Sequence, residues 1–402
     1  MDVMIVGGGM AGGMLAAALA DTGLRVRVLD AAPEPAMPEG PARPRVSALT
    51  EASQRMLSQV DAWARLPAER VQAYARMQVW DGDGTGEVEF DAASVQASAL
   101  GWIVENEALV AALYAARPAN VVWHSSVRAR DIRRQGEVWQ VTLDDGQVFR
   151  APLLVGADGA RSRVRDAAGI PAPLQDTGHV AIVGSVRSEH DHGACARQRF
   201  LTSGPLALLP LPGDGRDVSL VWSLWPKEAE RLMALPPEAF DLALSQASGG
   251  CLGALAFQGA RQVIPIHTLH ASDYVRPGLA LMGDAAHVVH PLAGQGINLG
   301  LLDAAVLAEE MQRALSRGLP AWHDSALNRY QRRRWGHNAL MIRALSGIKA
   351  LFEANGLEWR WARNTGMRWV NRLAPVKQML AREALGRKGD LPQLARGPVI
   401  ER

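Results

Sequence analysis

Cysteine is scarce in this chain: two in 402 residues, Cys195 and Cys251, with no Cys-x-x-Cys and no cysteine–histidine ligand spacing. This excludes a disulfide framework and a structural zinc site, and it points to a cytoplasmic protein. Charge is absent from residues 3–20, a run just long enough to suggest a membrane span. Five of those eighteen residues are glycine, each costing about 1 kcal/mol in a helix relative to alanine. No basic residue precedes the run, as an export signal would require. Neither a span nor a signal is expected. His190 and His192 flank Asp191 but lack a third ligand, so no metal is expected either.

The apolar run instead belongs to the stretch on which the chain is organised. Residues 3–6 read as a buried strand, Gly7-Gly-Gly9-Met10-Ala11-Gly12 as a turn entering a helix over about 11–22, and a second strand ends in Asp30. This is a dinucleotide-binding βαβ unit. Gly7 allows the tight turn, Gly9 lets backbone N–H groups at the helix N-terminus approach a diphosphate, and Gly12 lets helix and strand pack closely. Asp30, eighteen residues after Gly12, is placed to hold a ribose hydroxyl. Arg45, beyond a proline-rich loop over 31–44, either reaches the cofactor's diphosphate or adenine or is simply solvated.

Further along, Met77–Asp81 and Gly86–Asp91 alternate like two strands around a turn at Asp83-Gly84 and begin a second, sheet-based domain. Asn106 reads as the N-cap of a helix over 108–116. After the apolar strand 153–155 comes Gly156-Ala-Asp158-Gly159, followed by Arg161, Arg163 and Arg165, a turn suited to a place where cofactors meet. Strand patterns over 180–186, 206–211 and 218–225 and a helical stretch over 226–248 make the bulk of the second domain. A third apolar strand then delivers Gly283-Asp284-Ala-Ala-His287, and the loop Pro291-Leu-Ala-Gly294-Gln295-Gly296-Ile297-Asn298 opens a helix running to about 317. Asp284 at the strand's carboxyl end suits a ribityl hydroxyl. Peptide N–H groups from Gly294 to Asn298 suit the carbonyl side of a flavin. His287 and His290 read as residues positioning this loop, since no neighbouring nucleophile or acid completes a catalytic set.

The three motifs, in this order and spacing, resemble the class A flavin-dependent aromatic hydroxylases of the para-hydroxybenzoate hydroxylase type. Within that class the sequence is similar to the ubiquinone-biosynthesis hydroxylases, through Arg45-Val-Ser-Ala-Leu49, Val79-Trp-Asp81, Ile103-Val-Glu-Asn106, Leu220-Val-Trp-Ser-Leu224 and the 291–298 loop. Asp30 stands where glutamate is commoner, and Asn106 where many class members outside this branch carry arginine. The resemblance implies an α/β fold with a Rossmann-type FAD-binding domain, an inserted mixed-sheet substrate domain and a helical C-terminal region. The boundaries expected are 1–76, 103–175 and 269–328 for FAD, 77–102 and 176–268 for substrate, and 329–402 for the last region.

The resemblance also implies FAD, with Met10 and Ala11 joining the glycines around its diphosphate and Asp158 linked to FAD and NAD(P)H. It implies NAD(P)H as electron donor, O₂ as co-substrate, and hydroxylation of a polyprenylated phenol through a flavin hydroperoxide. No second βαβ fingerprint for a nicotinamide is present, as in that family. Trp222, Trp225 and the 291–297 loop are candidate walls for the substrate by position, and no general base can be named. A flavin reductase of the geranylgeranyl reductase type, or a non-catalytic FAD-binding subunit of a biosynthetic complex, are the alternatives.

Charge is uneven. Residues 329–388 hold 14 basic residues against three acids, a local +11 that leaves −9 for the remainder of a chain whose total is +2. With Trp335, Trp359, Trp361 and Trp369 this region suits the inner surface of a membrane, where basic and indole side chains both gain. The competing reading is a helical cap with solvated arginines. Nucleic acid is not expected, because no recognised binding module accompanies the charge.

Overall fold

The computed structural model describes residues 1–396 apart from 41, 42, 44, 83, 292, 293 and 355. Asp83 of the expected turn, Leu292 and Ala293 of the flavin loop, and 397–402 of the basic region lie outside the described residues.

Strand β1 (Val3–Val6) is buried on both faces and enters α1 (Met10–Ala18), which returns to β2 (Val26–Leu29). The helix stops at Ala18, short of the expected 22. A 3₁₀ turn over Ala20–Thr22 ends on Gly23, whose φ of 69° is left-handed and closes the helix end. Next come β3 (Val46–Leu49), α2 (Glu51–Gln59), β4 (Val71–Tyr74), β5 (Arg76–Asp81), β6 (Glu87–Asp91), β7 (Gly101–Glu105), α3 (Asn106–Ala115) and β8 (Val121–His124). Asn106 is the first helical residue rather than the cap. Its side chain accepts from Ser47 Oγ at 2.7 Å, and Glu105 occupies the cap position in a buried ion pair with Arg70 at 2.8 Å.

A meander of β9 (Ala129–Gln135), β10 (Val138–Leu143) and β11 (Val148–Ala151) precedes β12 (Leu153–Gly156) and the short α4 (Arg163–Ala167). Then follow β13 (Leu174–Ser188), β14 (Cys195–Leu201), β15 (Gly204–Pro210), β16 (Asp217–Leu224), α5 (Pro226–Met233), α6 (Pro237–Ala247) and β17 (Leu255–His270). The chain closes with β18 (Val275–Arg276), β19 (Leu279–Leu281), β20 (His287–Val288), α7 (Gly296–Leu315), α8 (Asp324–Glu353), α9 (Leu357–Arg372) and α10 (Ala374–Ala384).

Two large sheets organise these elements. The six-stranded sheet runs β18-β19-β12-β1-β2-β8 and is parallel except for β18. Continuous burial of β1, β12 and β19 is what a parallel sheet covered on both faces requires. The eight-stranded sheet runs β20-β17-β13-β16-β15-β14-β5-β6. Its antiparallel strands alternate: Ile182, Leu206, Leu208, Leu220 and Trp222 point to the face covered by α5 and α6, where Phe240 and Leu244 complete a core. That parity corrects one expectation, since Trp222 is a core residue, 4% exposed, on the face turned toward α5 and α6. On the opposite face Phe200 stacks on Phe352 of α8, with ring centroids 3.7 Å apart. Strand β20, although part of the third motif, pairs with β17, so this motif spans the junction of the two large sheets.

Candidate functional site

The first two motifs meet because β1 lies between β2 and β12, so all three carboxyl ends emerge together. They open on a cleft of about 360 Å³ lined by Gly7, Gly9, Asp30, Asp158, Arg161 and Arg163. The glycines do different things there. Gly7 has φ 102°, and a side chain on it would meet the Ala157 carbonyl oxygen at 2.2 Å. A Cβ on Gly12 would lie 2.0 Å from the Gly7 oxygen. Gly9 is the α1 N-cap, without a side-chain cap, and a Cβ there meets nothing within 4 Å. Its missing side chain serves no packing contact; it leaves space in front of the α1 N-terminus, at Met10 and Ala11, where uncapped N–H groups favour an anion.

Asp30 directly follows β2 and uses one carboxylate oxygen to accept from the Ala32 N–H at 3.1 Å. Asp158 is more occupied. It accepts from Ser162 Oγ and from the N–H groups of Arg163 and Val164, at 2.5, 2.7 and 3.2 Å, which makes it the clamp on the start of α4. Burial pushes its carboxyl up despite those donors. Arg45 is not in the cleft lining; it is exposed just before β3, with its carbonyl accepting from the Asn106 N–H at 3.0 Å.

The third motif forms the other end of the site. Gly283–Ala285 is a single 3₁₀ turn, and Ala11, Gly283 and Gly300 are small enough to bring the starts of α1 and α7 to the same place. Asp284 is accessible to solvent yet surrounded closely enough that burial pushes its carboxyl up, with His287 pulling the other way. Such a carboxyl gains from a hydroxyl donor. At the start of α7, Gly294 (φ 60°) donates to the Pro291 carbonyl at 3.2 Å, and the helix, through Gly296 and Ile297, has no side-chain cap on its Gln295 N-cap. Asn298 is fully engaged. Its oxygen accepts from the Thr50 N–H and Ser53 Oγ at 3.0 and 2.7 Å, and its amide donates to the carbonyls of Ala48 and Gly294 at 2.9 and 3.2 Å. Its side chain therefore ties the loop to β3 and α2, leaving only its peptide N–H for a ligand.

Residues unassigned from sequence hold this turn. Asp303 of α7, wholly buried, accepts from the Gly283 N–H at 3.0 Å, His287 Nε2 at 2.5 Å, Arg334 Nε at 2.7 Å and Asn338 Nδ2 at 3.1 Å. Burial pushes its carboxyl up, but His287 and Arg334 outweigh burial and hold it well below the usual carboxylate range. Arg165, 6% exposed, donates to the carbonyls of Ala160 and Ala285 at 3.0 and 3.1 Å and so links the second motif to the third. One signal was readable: Asp303 is a lone acid in the apolar stretch 296–308. His192 uses both ring nitrogens on the backbone of Leu211 and Ala194, and no metal-binding cluster occurs among the described residues.

Two helix N-termini without side-chain caps, an open glycine at the first of them, and the carboxylates of Asp30 and Asp284 fit an extended dinucleotide with a central diphosphate. The chain is 38% identical to the ubiquinone hydroxylase UbiL of Rhodospirillum rubrum, over 96% of this chain and 89% of that one. It is 36% identical to the 3-demethoxyubiquinol 3-hydroxylase of Escherichia coli, over 96% and 98%. The crystal structure of PqsL from Pseudomonas aeruginosa superposes with a TM-score of 0.77 at 26% identity, covering 92% of this chain and 99% of that one. The family model described as FAD binding domain matches residues 1–343, and the chain belongs to this family of FAD-binding proteins.

Proposed function

We propose that the protein is an FAD-dependent monooxygenase that hydroxylates the aromatic ring of a polyprenylated phenol in ubiquinone biosynthesis, with NAD(P)H as electron donor and O₂ as co-substrate. The observation that carries this reading is similarity to two ubiquinone-pathway hydroxylases over almost the whole chain, substrate-side sheet included. Bound FAD would supply the redox and oxygen-transfer chemistry. The residues of this chain bind and orient. Gly7, Gly9, Met10, Ala11 and Gly12 receive the diphosphate at the α1 N-terminus, Asp30 takes the ribose and Asp284 the ribityl chain. Arg45 serves the adenine or diphosphate end, and Asp158 keeps the second turn in shape. Peptide groups over Gly294–Asn298, beside Pro291, face the flavin ring. The eight-stranded sheet and α8 hold the phenol and exclude water, which would otherwise divert reducing equivalents to hydrogen peroxide. In domain terms, 1–76, 103–175 and 269–328 serve FAD, 77–102 and 176–268 serve substrate, and the basic region covers the substrate side.

Holoprotein supplied with a phenol bearing a short prenyl chain, NAD(P)H and heavy-isotope O₂ is expected to place one labelled oxygen on the ring per reductant consumed. Saturation of the prenyl chain without oxygen uptake would instead assign a flavin reductase.

No helix among the described residues is long and apolar enough to cross a membrane, and the lipid-borne substrate must be met at a surface. Helix α9 supports that role, being polar inward and apolar outward. Arg363, 4% exposed, pairs with Asp81 at 2.6 Å and Asn364 donates to the same carboxylate at 3.0 Å, while Trp359, Trp361 and Trp369 are 55%, 70% and 63% exposed. Arg363 is thus a docking residue within the fold rather than a lipid contact, and Arg333 is likewise committed to Glu309, Glu310 and Asp390. Arg368 and Arg372 remain exposed on α9. Anionic vesicles are expected to co-sediment the protein at low salt, with about 1 kcal/mol lost per arginine when Arg368 and Arg372 become glutamine, and a further loss when Trp361 and Trp369 become serine. Equal recovery of the wild type on neutral and anionic vesicles removes the electrostatic contribution.

A further inference from the structure

His290 ends the segment that follows Asp284 and directly precedes Pro291. It is 2% exposed, and neither ring nitrogen has a hydrogen-bond partner. His179 of β13 is in the same condition at 1% exposure. Among the described residues these are the two buried histidines with both nitrogens unpaired. By contrast, the backbone satisfies both nitrogens of His192. Buried polar groups in native proteins nearly always have partners, so two neighbouring imidazoles without any call for a ligand.

The surroundings fit one. The His179 ring lies against Trp225, with centroids 4.1 Å apart. Glu353 of α8 stands 3.3 Å from His179 Nδ1, in charge contact without hydrogen-bond geometry, and is itself paired with Lys349 at 2.7 Å. Lys349 also donates to the Thr177 carbonyl at 3.2 Å. His179 of β13 and Lys349 and Glu353 of α8 are thus grouped beside an indole, and His290, in the segment before Pro291, lies near enough to feel the charges of Lys349 and His179. Burial, with the charges of Lys349 and His179, pushes the His290 imidazole down to about 4. Near neutral pH His290 is uncharged, with one N–H to donate and one nitrogen to accept.

We propose that His290 and His179 form the hydrogen-bonding subsite for the ring oxygens of the substrate, orienting the phenol beside the Pro291 loop. This rests on the hydroxylase reading above. The pair positions the ring; an imidazole held so far below its ordinary value is too weak a base to take a phenol's proton. A site built to bond a hydroxyl discriminates against an analogue that lacks the proton, because its buried groups are then left unpaired.

Two probes test this on FAD-loaded protein: a phenol carrying one short prenyl chain, and the methyl ether of the same compound, with binding read from the flavin absorbance. The wild type is expected to prefer the phenol by on the order of 100-fold. His290→Phe should lose most of that preference, and His290→Asn, which keeps a donor and an acceptor, should recover part of it. The preference should be present near neutral pH and fall on acidification as His179 and His290, both held below the ordinary imidazole value by burial, protonate, His290 at about pH 4. A wild type that prefers the phenol, with His290→Phe and His179→Phe both keeping that preference, overturns the subsite alone. A wild type without any preference also overturns the subsite, and ring labelling by heavy-isotope O₂ in the same protein tells that failure from a failure of the hydroxylase reading.

Discussion

Gly9→Val is expected to yield a folded protein that no longer retains FAD. The backbone at Gly9 has φ −67° and ψ −169°, which valine adopts without strain, and its Cβ position has no neighbour within 4 Å. Nothing in the protein resists the new side chain. It projects into the space before the α1 N-terminus that a diphosphate would occupy, so the cost falls on the ligand. A loss of about 100-fold or more in FAD affinity, roughly 3 kcal/mol, is expected. The circular dichroism spectrum and melting temperature of the FAD-free protein should match those of FAD-free wild type. Gly12→Val supplies the contrast. Its Cβ would sit 2.0 Å from the Gly7 carbonyl oxygen, so helix and strand must separate, and insolubility or a large loss of melting temperature is expected. Full FAD occupancy in Gly9→Val would mean that this turn is not the diphosphate site.

The same contrast shows what the sequence could convey. Strands leading into Gly7, Gly156 and Gly283, each followed by a turn, were legible because continuous apolar runs mark buried parallel strands and a glycine marks the point where the chain must bend. Their convergence was legible only through the order of motifs. Face and partner were not. Trp222 was a candidate wall by position, but its parity with Ile182 and Leu206 turns it into the core. Asn298 lies in the flavin loop, yet its side chain is spent on Thr50, Ser53, Ala48 and Gly294, partners up to 250 residues away. The charge of the C-terminal region was visible as a sum. Its division into exposed Arg368 and Arg372 and buried Arg334 and Arg363 depends on where Asp303 and Asp81 come to lie, which local pattern cannot supply.

Arg334→Met should therefore cost more than any surface arginine in the same region. Arg334 is 2% exposed; it bonds Asp303 at 2.7 Å and the Asn338 oxygen at 2.9 Å. Removing one member of a buried ion pair leaves a charge without water or partner and typically costs about 3–5 kcal/mol. His287, the Gly283 N–H and Asn338 still face Asp303, which places the expected loss at the lower end of that range. Asp303→Asn combined with Arg334→Met removes both charges and should recover part of the stability, because the penalty arises from the unpaired ion.

The pH dependence follows from the same carboxyl. Asp303 is held below its ordinary value, so its contribution to stability is complete above about pH 4, the unfolded-state value, and is lost as pH falls through the folded-state value. Wild type should therefore lose stability on acidification below about pH 4, and the double variant should lose less. Because Asp303 also accepts from the Gly283 N–H, Arg334→Met should loosen the turn that presents Asp284 and speed FAD release, although Arg334 lies outside the cofactor cleft. Thermal melts and the rate of FAD loss on dilution read the two effects separately. A variant with wild-type melting temperature and wild-type FAD retention would show that the Asp303 network supports neither the fold nor the turn.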